Sequence, residues 1–143
     1  MSDIDKLIVS PDDFEQENPP RSAEGGYGIV TFGTQKITNK KYALKRTRHV
    51  LLSPEYKRAF DRELNILATC KHPTITPFLG WCTKDYIGYI YLLEMEKGSL
   101  DHCISENRKS GTPYLDDTRK YIISFGIAVG MEYLHSKNVI HRD

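Results

Sequence analysis

The order of patterns along this chain predicts an α+β fold, with a sheet-based first part and a helical second part. Three observations carry that reading. Residues 28–33 and 41–46 are β-rich runs joined through Thr38-Asn39-Lys40, and residues 54–69 repeat apolar side chains at helical spacing. After a second pair of apolar, aromatic-rich runs at 75–82 and 88–95, the pattern is helical only. The composition allows such a fold: 143 residues, 39% hydrophobic, 10% aromatic and 27% charged, suit one globular domain and exclude disordered, collagenous and disulfide-scaffold classes.

The elements follow in order. An acidic leader covers residues 1–21 and closes on Asn18-Pro19-Pro20, where two missing backbone donors predict a linker or a frayed edge strand. The domain proper is therefore expected to begin near residue 22. Asn39 and its polar neighbours suit a hairpin between the first two runs. Ser53-Pro54-Glu55 then opens a helix over 54–69: the hydroxyl caps a free N–H, proline at the first position surrenders a donor that had no partner, and the acid meets the positive end of the helix dipole. Phe60, Leu64 and Leu67 form its apolar stripe, with Ala59, Glu63 and Ile66 beside it. Thr83-Lys84-Asp85 is the polar turn of the second strand pair. Gly98-Ser99 caps a short helix near 100–106, residues 107–113 read as a polar loop, and a long helix runs from Asp116 or Asp117 to about Ser136. Ile123, Ile127, Met131 and Leu134 make one stripe of it, flanked by Ile122, Phe125 and Val129, an apolar arc wider than a surface helix needs.

Charge excludes some partners. Lys and Arg number 20 against 19 Asp and Glu, a net of +1, so no overall field recruits nucleic acid or an anionic membrane. Residues 1–20 hold six acids and one base, whereas residues 36–62 hold nine bases and two acids. A solvated face explains the basic stretch better than a nucleic-acid footprint, because no aromatic residues interleave the bases in a stacking pattern. The longest strongly apolar stretch, Ile87–Leu93, falls well short of the roughly 18 residues of a membrane span, and Met1-Ser2-Asp3-Ile4-Asp5 lacks the basic start of a signal peptide. A cytoplasmic protein without nucleic-acid or membrane partners is expected. Cys70, Cys82 and Cys103 include no C-x-x-C and suit reduced thiols. Cys70 with His72 and His102 with Cys103 lack zinc-finger spacing, so no metal site is assigned to them.

Three features bear chemistry. Ala23-Glu24-Gly25-Gly26-Tyr27-Gly28-Ile29-Val30 joins a strand edge to a clear strand, and closely spaced glycines let backbone N–H groups approach a phosphate; alone, such a cluster is more often a plain turn. Ala43 and Lys45 share one face of their strand by the period of two, although a lysine at a strand end is usually solvated. Glu63 lies mid-helix beside apolar positions, where an acid needs a partner or a view of water, and Lys45 is the cation a sheet-facing helix would offer it.

Together these residues resemble the protein kinase superfamily. Gly25, Gly26, Gly28 and Val30 match its Gly-rich loop, Tyr42-Ala43-Leu44-Lys45 its V-A-I-K strand, Arg62-Glu63-Leu64 the helix with the paired glutamate, and His141-Arg142-Asp143 the opening of its catalytic loop, in the family's order. His72-Pro73, Leu93-Glu94-Met95 at the hinge, Gly98-Ser99-Leu100 and Gly130-Met131-Glu132-Tyr133-Leu134-His135-Ser136 agree with it. The last stretch resembles most the tyrosine-kinase-like group, whose members phosphorylate mainly Ser and Thr. The resemblance implies a small lobe over residues 22–95, an antiparallel five-stranded sheet plus one helix. Over 96–143 it implies the hinge and the first helices of a helical large lobe. It also implies ATP and Mg²⁺ as cofactors and a protein substrate. The loop of Ala23, Gly25, Gly26, Tyr27 and Gly28 would cover the phosphates, and Lys45, placed by Glu63, would contact the α- and β-phosphates. Val30 and Ala43 would sandwich adenine, Leu93 would be the gatekeeper, backbone groups near Glu94 and Met95 would bond the adenine edge, and Asp143 would be the catalytic base.

The match departs from the family in three places. Ala23 stands where the first loop glycine is usual, with Ser22 before it in place of an apolar residue, which weakens ordering of the loop more than it abolishes binding. The hinge between Glu94 and Gly98 is one residue short of the common pattern. The sequence also stops at Asp143, ahead of the catalytic-loop Asn, the D-F-G segment that holds Mg²⁺, the activation loop and A-P-E. These 143 residues are thus expected to lack catalysis. Residues 99–143 are expected to be poorly ordered, aggregation-prone or covered by a partner on helix 117–136. A non-catalytic kinase-fold interaction or pseudokinase module is the alternative reading.

Overall fold

Side chains alternate across a strand, so each strand divides its residues between two sheet faces, and here the two faces have different partners. The computed structural model describes residues 4–25, 28–110 and 115–141. Its elements are β1 (Phe14–Gln16), β2 (Ser22–Gly25), β3 (Gly28–Gln35), β4 (Lys41–Arg46), α1 (Pro54–Thr69), β5 (Phe78–Lys84), β6 (Ile87–Leu93), α2 (Leu100–Ser110) and α3 (Asp117–Ser136). All strand pairs are antiparallel, in the order β1-β3-β4-β6-β5, with β2 also paired to β3. The fold is α+β. Strands β2 to β6 make the expected five, and the leader adds β1 as a sixth.

The chain forms two compact units, Met1–Lys71 with Thr76–Glu94, and His72–Ile75 with Met95–Asp143. In the first, one sheet face carries Ile90 against Phe60 and Leu64 of α1, with Leu67, Phe78, Trp81 and Leu92 around them. The opposite face gathers Phe14, Tyr42, Cys82 and Tyr91. The Phe14 ring stacks on Tyr91 at 4.1 Å and meets Tyr42 edge-on at 5.0 Å. Burial pushes both the Tyr91 phenol and the Cys82 thiol up from their ordinary values. A cavity of about 240 Å³ opens on this face between Phe14 and Tyr89.

Local chemistry explains the element ends. The Ser53 hydroxyl accepts the Glu55 N–H at 3.3 Å with Pro54 following it, and Asp116 accepts the Arg119 N–H at 2.8 Å at the start of α3. The β3–β4 turn puts Asn39 at φ 54°, and the β5–β6 turn puts Asp85 and Tyr86 at 51° and 60°.

Two expectations are corrected. The leader was expected to stay outside the domain, with a linker or frayed strand at its end. Residues 18–20 do carry no strand, but the residues before them are docked. Trp81 Nε1 donates to the Ile4 carbonyl at 3.0 Å, Val9 N–H donates to the Trp81 carbonyl at 3.0 Å, and β1 pairs with β3 from Phe14↔Gln35 to Gln16↔Gly33. Apolar Ile4, Val9 and Phe14, spaced among the acids, supply the packing that overrides the proline signal. The short helix expected near 100–106 continues to Ser110, because Asn107-Arg108-Lys109-Ser110 contains no helix breaker; residues 111–113 of the expected loop lie outside the described residues.

Helix α3 lies within the second unit, and much of its apolar arc is uncovered. Ile127 is exposed, as are Tyr121, Ile122 and Phe125, while Gly130 and Leu134 are buried. The inward line runs through Gly126 and Gly130 because Thr74 lies against them: a Cβ at Gly130 would stand 2.7 Å from the Thr74 hydroxyl oxygen. His72 in the same segment accepts the Thr74 N–H and stacks on Tyr133 at 4.9 Å. No described helix is long and apolar enough to cross a membrane.

Candidate functional site

The expected site residues of the first unit lie on neighbouring strands, and register determines which of them meet. Val30 is opposite Lys45 and Ala23, Phe32 is opposite Ala43, and Lys45 and Ala43 are opposite Ile90 and Leu92. Directly opposed residues point to the same face, so Ala23, Val30, Ala43 and Lys45 all lie on the side that carries α1. Helix α1 brings Glu63 to that face, and Lys45 Nζ donates to Glu63 Oε1 at 2.5 Å. The pair is half-sheltered, with side-chain exposures of 19% for Lys45 and 38% for Glu63. Ile90 beneath the strand and Leu64 beside Glu63 are both buried, so a packed floor fixes each partner.

The glycine-bearing edge lies at the end of the same strands. Gly25 pairs with Gly28, and Gly28 has φ +132°, a conformation other residues rarely adopt. A Cβ there would also run into the Arg46 carbonyl oxygen. Gly28→Ala is therefore expected to lower stability by about 1–3 kcal/mol. Urea unfolding checks this beside Ile29→Ala, an exposed neighbour expected to change stability by no more than about 0.5 kcal/mol.

At the other end of β6, the Leu93 N–H donates to the Pro77 carbonyl at 2.9 Å and the Glu94 N–H to the Lys41 carbonyl at 3.1 Å. Met95 belongs to the second unit and is exposed. Gly26, Tyr27 and Asp143 lie outside the described residues. One residue the sequence reading passed over stands here: Arg21, whose guanidinium lies 3.9 Å over the Phe32 ring and binds both Glu17 and Glu94. The hydrogen bond from Arg21 lowers the Glu17 carboxyl below its ordinary value, and the bonds to Glu17 and then Glu94 raise Arg21. Its only signal was a base directly after two prolines.

A curled antiparallel sheet whose inner face ties a lysine to a helix glutamate, beside a glycine-bearing strand edge, defines the class of a kinase-type small lobe. Comparison with known families agrees: the protein kinase domain model matches residues 23–143. The chain belongs to the protein kinase family. It is 36% identical over 123 residues to the tyrosine-protein kinase transforming protein Fps of Fujinami sarcoma virus, covering 86% of this chain and 14% of that protein. It is 34% identical over 142 residues to a probable LRR receptor-like serine/threonine-protein kinase of Arabidopsis thaliana, covering 96% and 22%. It is 29% identical over 120 residues to the serine/threonine-protein kinase Nek4 of Mus musculus, covering 83% and 15%. The chain spans less than a quarter of the length of these curated relatives.

Proposed function

We propose that this chain carries the nucleotide-binding part of a protein kinase that transfers the ATP γ-phosphate to a protein hydroxyl, of Ser or Thr, in the tyrosine-kinase-like group. The observation that carries the reading is the Lys45–Glu63 pair beside the glycine edge. A lysine contacting the α- and β-phosphates must be held still, and a carboxylate 2.5 Å away on a packed helix does so. The glycine-bearing segment covers the phosphates with backbone N–H groups, a reading supported by the positive φ of Gly28. Val30 and Ala43, small or branched and on the lysine's face, flank adenine. The rear of the pocket is closed by Leu92, opposite Ala43, and not by the expected Leu93, which is opposite Tyr42 and so on the other sheet face; the backbone beyond them bonds the adenine edge. Asp143 accepts the proton of the substrate hydroxyl, with Arg142 beside it.

Mg²⁺, when bound, neutralises charge on the phosphates. Among the described residues no three His, Cys, Asp or Glu side chains gather to hold a metal ion. The Arabidopsis relatives, named as serine/threonine kinases and matching 96% of the chain, support the choice of Ser or Thr. The test is titration of the chain with a fluorescent ATP analogue. Saturable binding displaced by ATP is expected, and weakened by Glu63→Gln by about tenfold, the loss of one charge-assisted contact. Binding that ignores this substitution would remove the pair from the site.

A further inference from the structure

Glu94 is an acid in an unusual position. Its side chain is 7% exposed, Oε1 accepts from Arg21 Nη2 at 2.5 Å, and Oε2 is buried with no hydrogen-bond partner. A carboxylate so placed depends on its countercharge, and among the described residues that charge is Arg21. Arg21 itself is half exposed, and a rim ion pair ordinarily contributes little. The asymmetry changes this: removing the cation leaves a buried charge with nothing opposite it.

Arg21 is also braced. Glu17 accepts from its Nε at 3.1 Å and from Nη2 at 3.0 Å, and the guanidinium plane rests on Phe32. Glu17 follows β1, and its N–H donates to the Phe32 carbonyl at 3.0 Å, so the brace is anchored in the sheet. Phe32 is opposite Ala43, and Leu92 is opposite Ala43 on the other side, which puts the brace on the sheet face that bears Val30 and Lys45.

We infer that Arg21 is a positioning residue: braced by Glu17 and Phe32, it holds the backbone at Leu93 and Glu94 in place through the buried Glu94 carboxylate. The inference rests on the kinase reading for its meaning, since Leu93 and Glu94 are where adenine is proposed to bind. The leader thereby acts on the nucleotide site from outside the segment matched by the family model, which starts at residue 23.

Amide hydrogen exchange on the 143-residue chain tests this directly. Arg21→Met is expected to speed exchange of the Leu93 and Glu94 amides on the order of tenfold relative to those of Ile90 and Tyr91 in the same strand. Adding Glu94→Gln should return the rates toward wild type, because a neutral amide needs no countercharge. A rise shared equally by all four amides, as global destabilisation would produce, or no rise, overturns the inference. In parallel, Arg21→Met should weaken binding of the fluorescent ATP analogue several-fold, with recovery in the double variant. Equal affinity of Arg21→Met and wild type overturns the role toward nucleotide. A wild-type chain that binds no analogue counts against the kinase reading of the site and with it that role, while the exchange rates still decide whether Arg21 holds the backbone.

Discussion

On the kinase reading proposed above, Lys45→Met is expected to lower Mg-ATP-dependent phosphoryl transfer by about 10²–10³-fold in an active protein that contains this chain. Methionine keeps the length and much of the apolar stem of lysine, so its packing against the sheet survives and only the charge is lost. That charge is made effective by its surroundings. Lys45 is 19% exposed, is held by Glu63 at 2.5 Å, and stands opposite Ile90, which water does not reach. A preorganised cation costs no reorganisation when negative charge shifts on the phosphates, and this is why its loss outweighs that of an ordinary surface lysine. Initial rates on a generic protein substrate, with thermal unfolding to show that the variant folds, measure the effect. Rates within twofold of wild type would displace Lys45 from the site.

The largest expected effect on stability comes from Ile90→Ala and Leu64→Ala, at 0% and 1% exposure. Each truncation removes buried methyl groups and leaves a cavity between sheet and helix, at a cost of about 2–5 kcal/mol. A typical domain has only about 5–15 kcal/mol in total, so either change takes a large share. The urea midpoint should fall with the slope unchanged, since the surface exposed on unfolding is the same. Ile90 has a second consequence. It lies in register with Lys45 and packs on Phe60 and Leu64, so its loss loosens the floor under the ion pair as well as the fold. An Ile90→Ala midpoint as high as that of Ile29→Ala would contradict the packing described.

Most of the first unit was legible because its signals are local. Ser53-Pro54-Glu55 marks where α1 begins, Phe60 and Leu64 mark its buried side, and the runs around Asn39 and Asp85 become hairpins with those residues at positive φ. The meeting of Lys45 and Glu63 was legible only through the family's order of motifs, since nothing in their spacing of eighteen residues requires contact. What escaped was long-range. The docking of the leader depends on Trp81 and Tyr91, far along the chain, and Asn18-Pro19-Pro20 gave the opposite local signal. The inward line of α3 also escaped, because Thr74, some fifty residues earlier, lies against Gly126 and Gly130. Arg21 escaped for the same reason, as its partner Glu94 is 73 positions away.

The docked leader carries a practical consequence for anyone expressing this domain. A clone begun at the family boundary would amputate Phe14 and strip the carbonyl of Ile4 from the Trp81 indole. The rings of Tyr42 and Tyr91 would then be wetted, and the recombinant product would report a weaker sheet than the gene encodes.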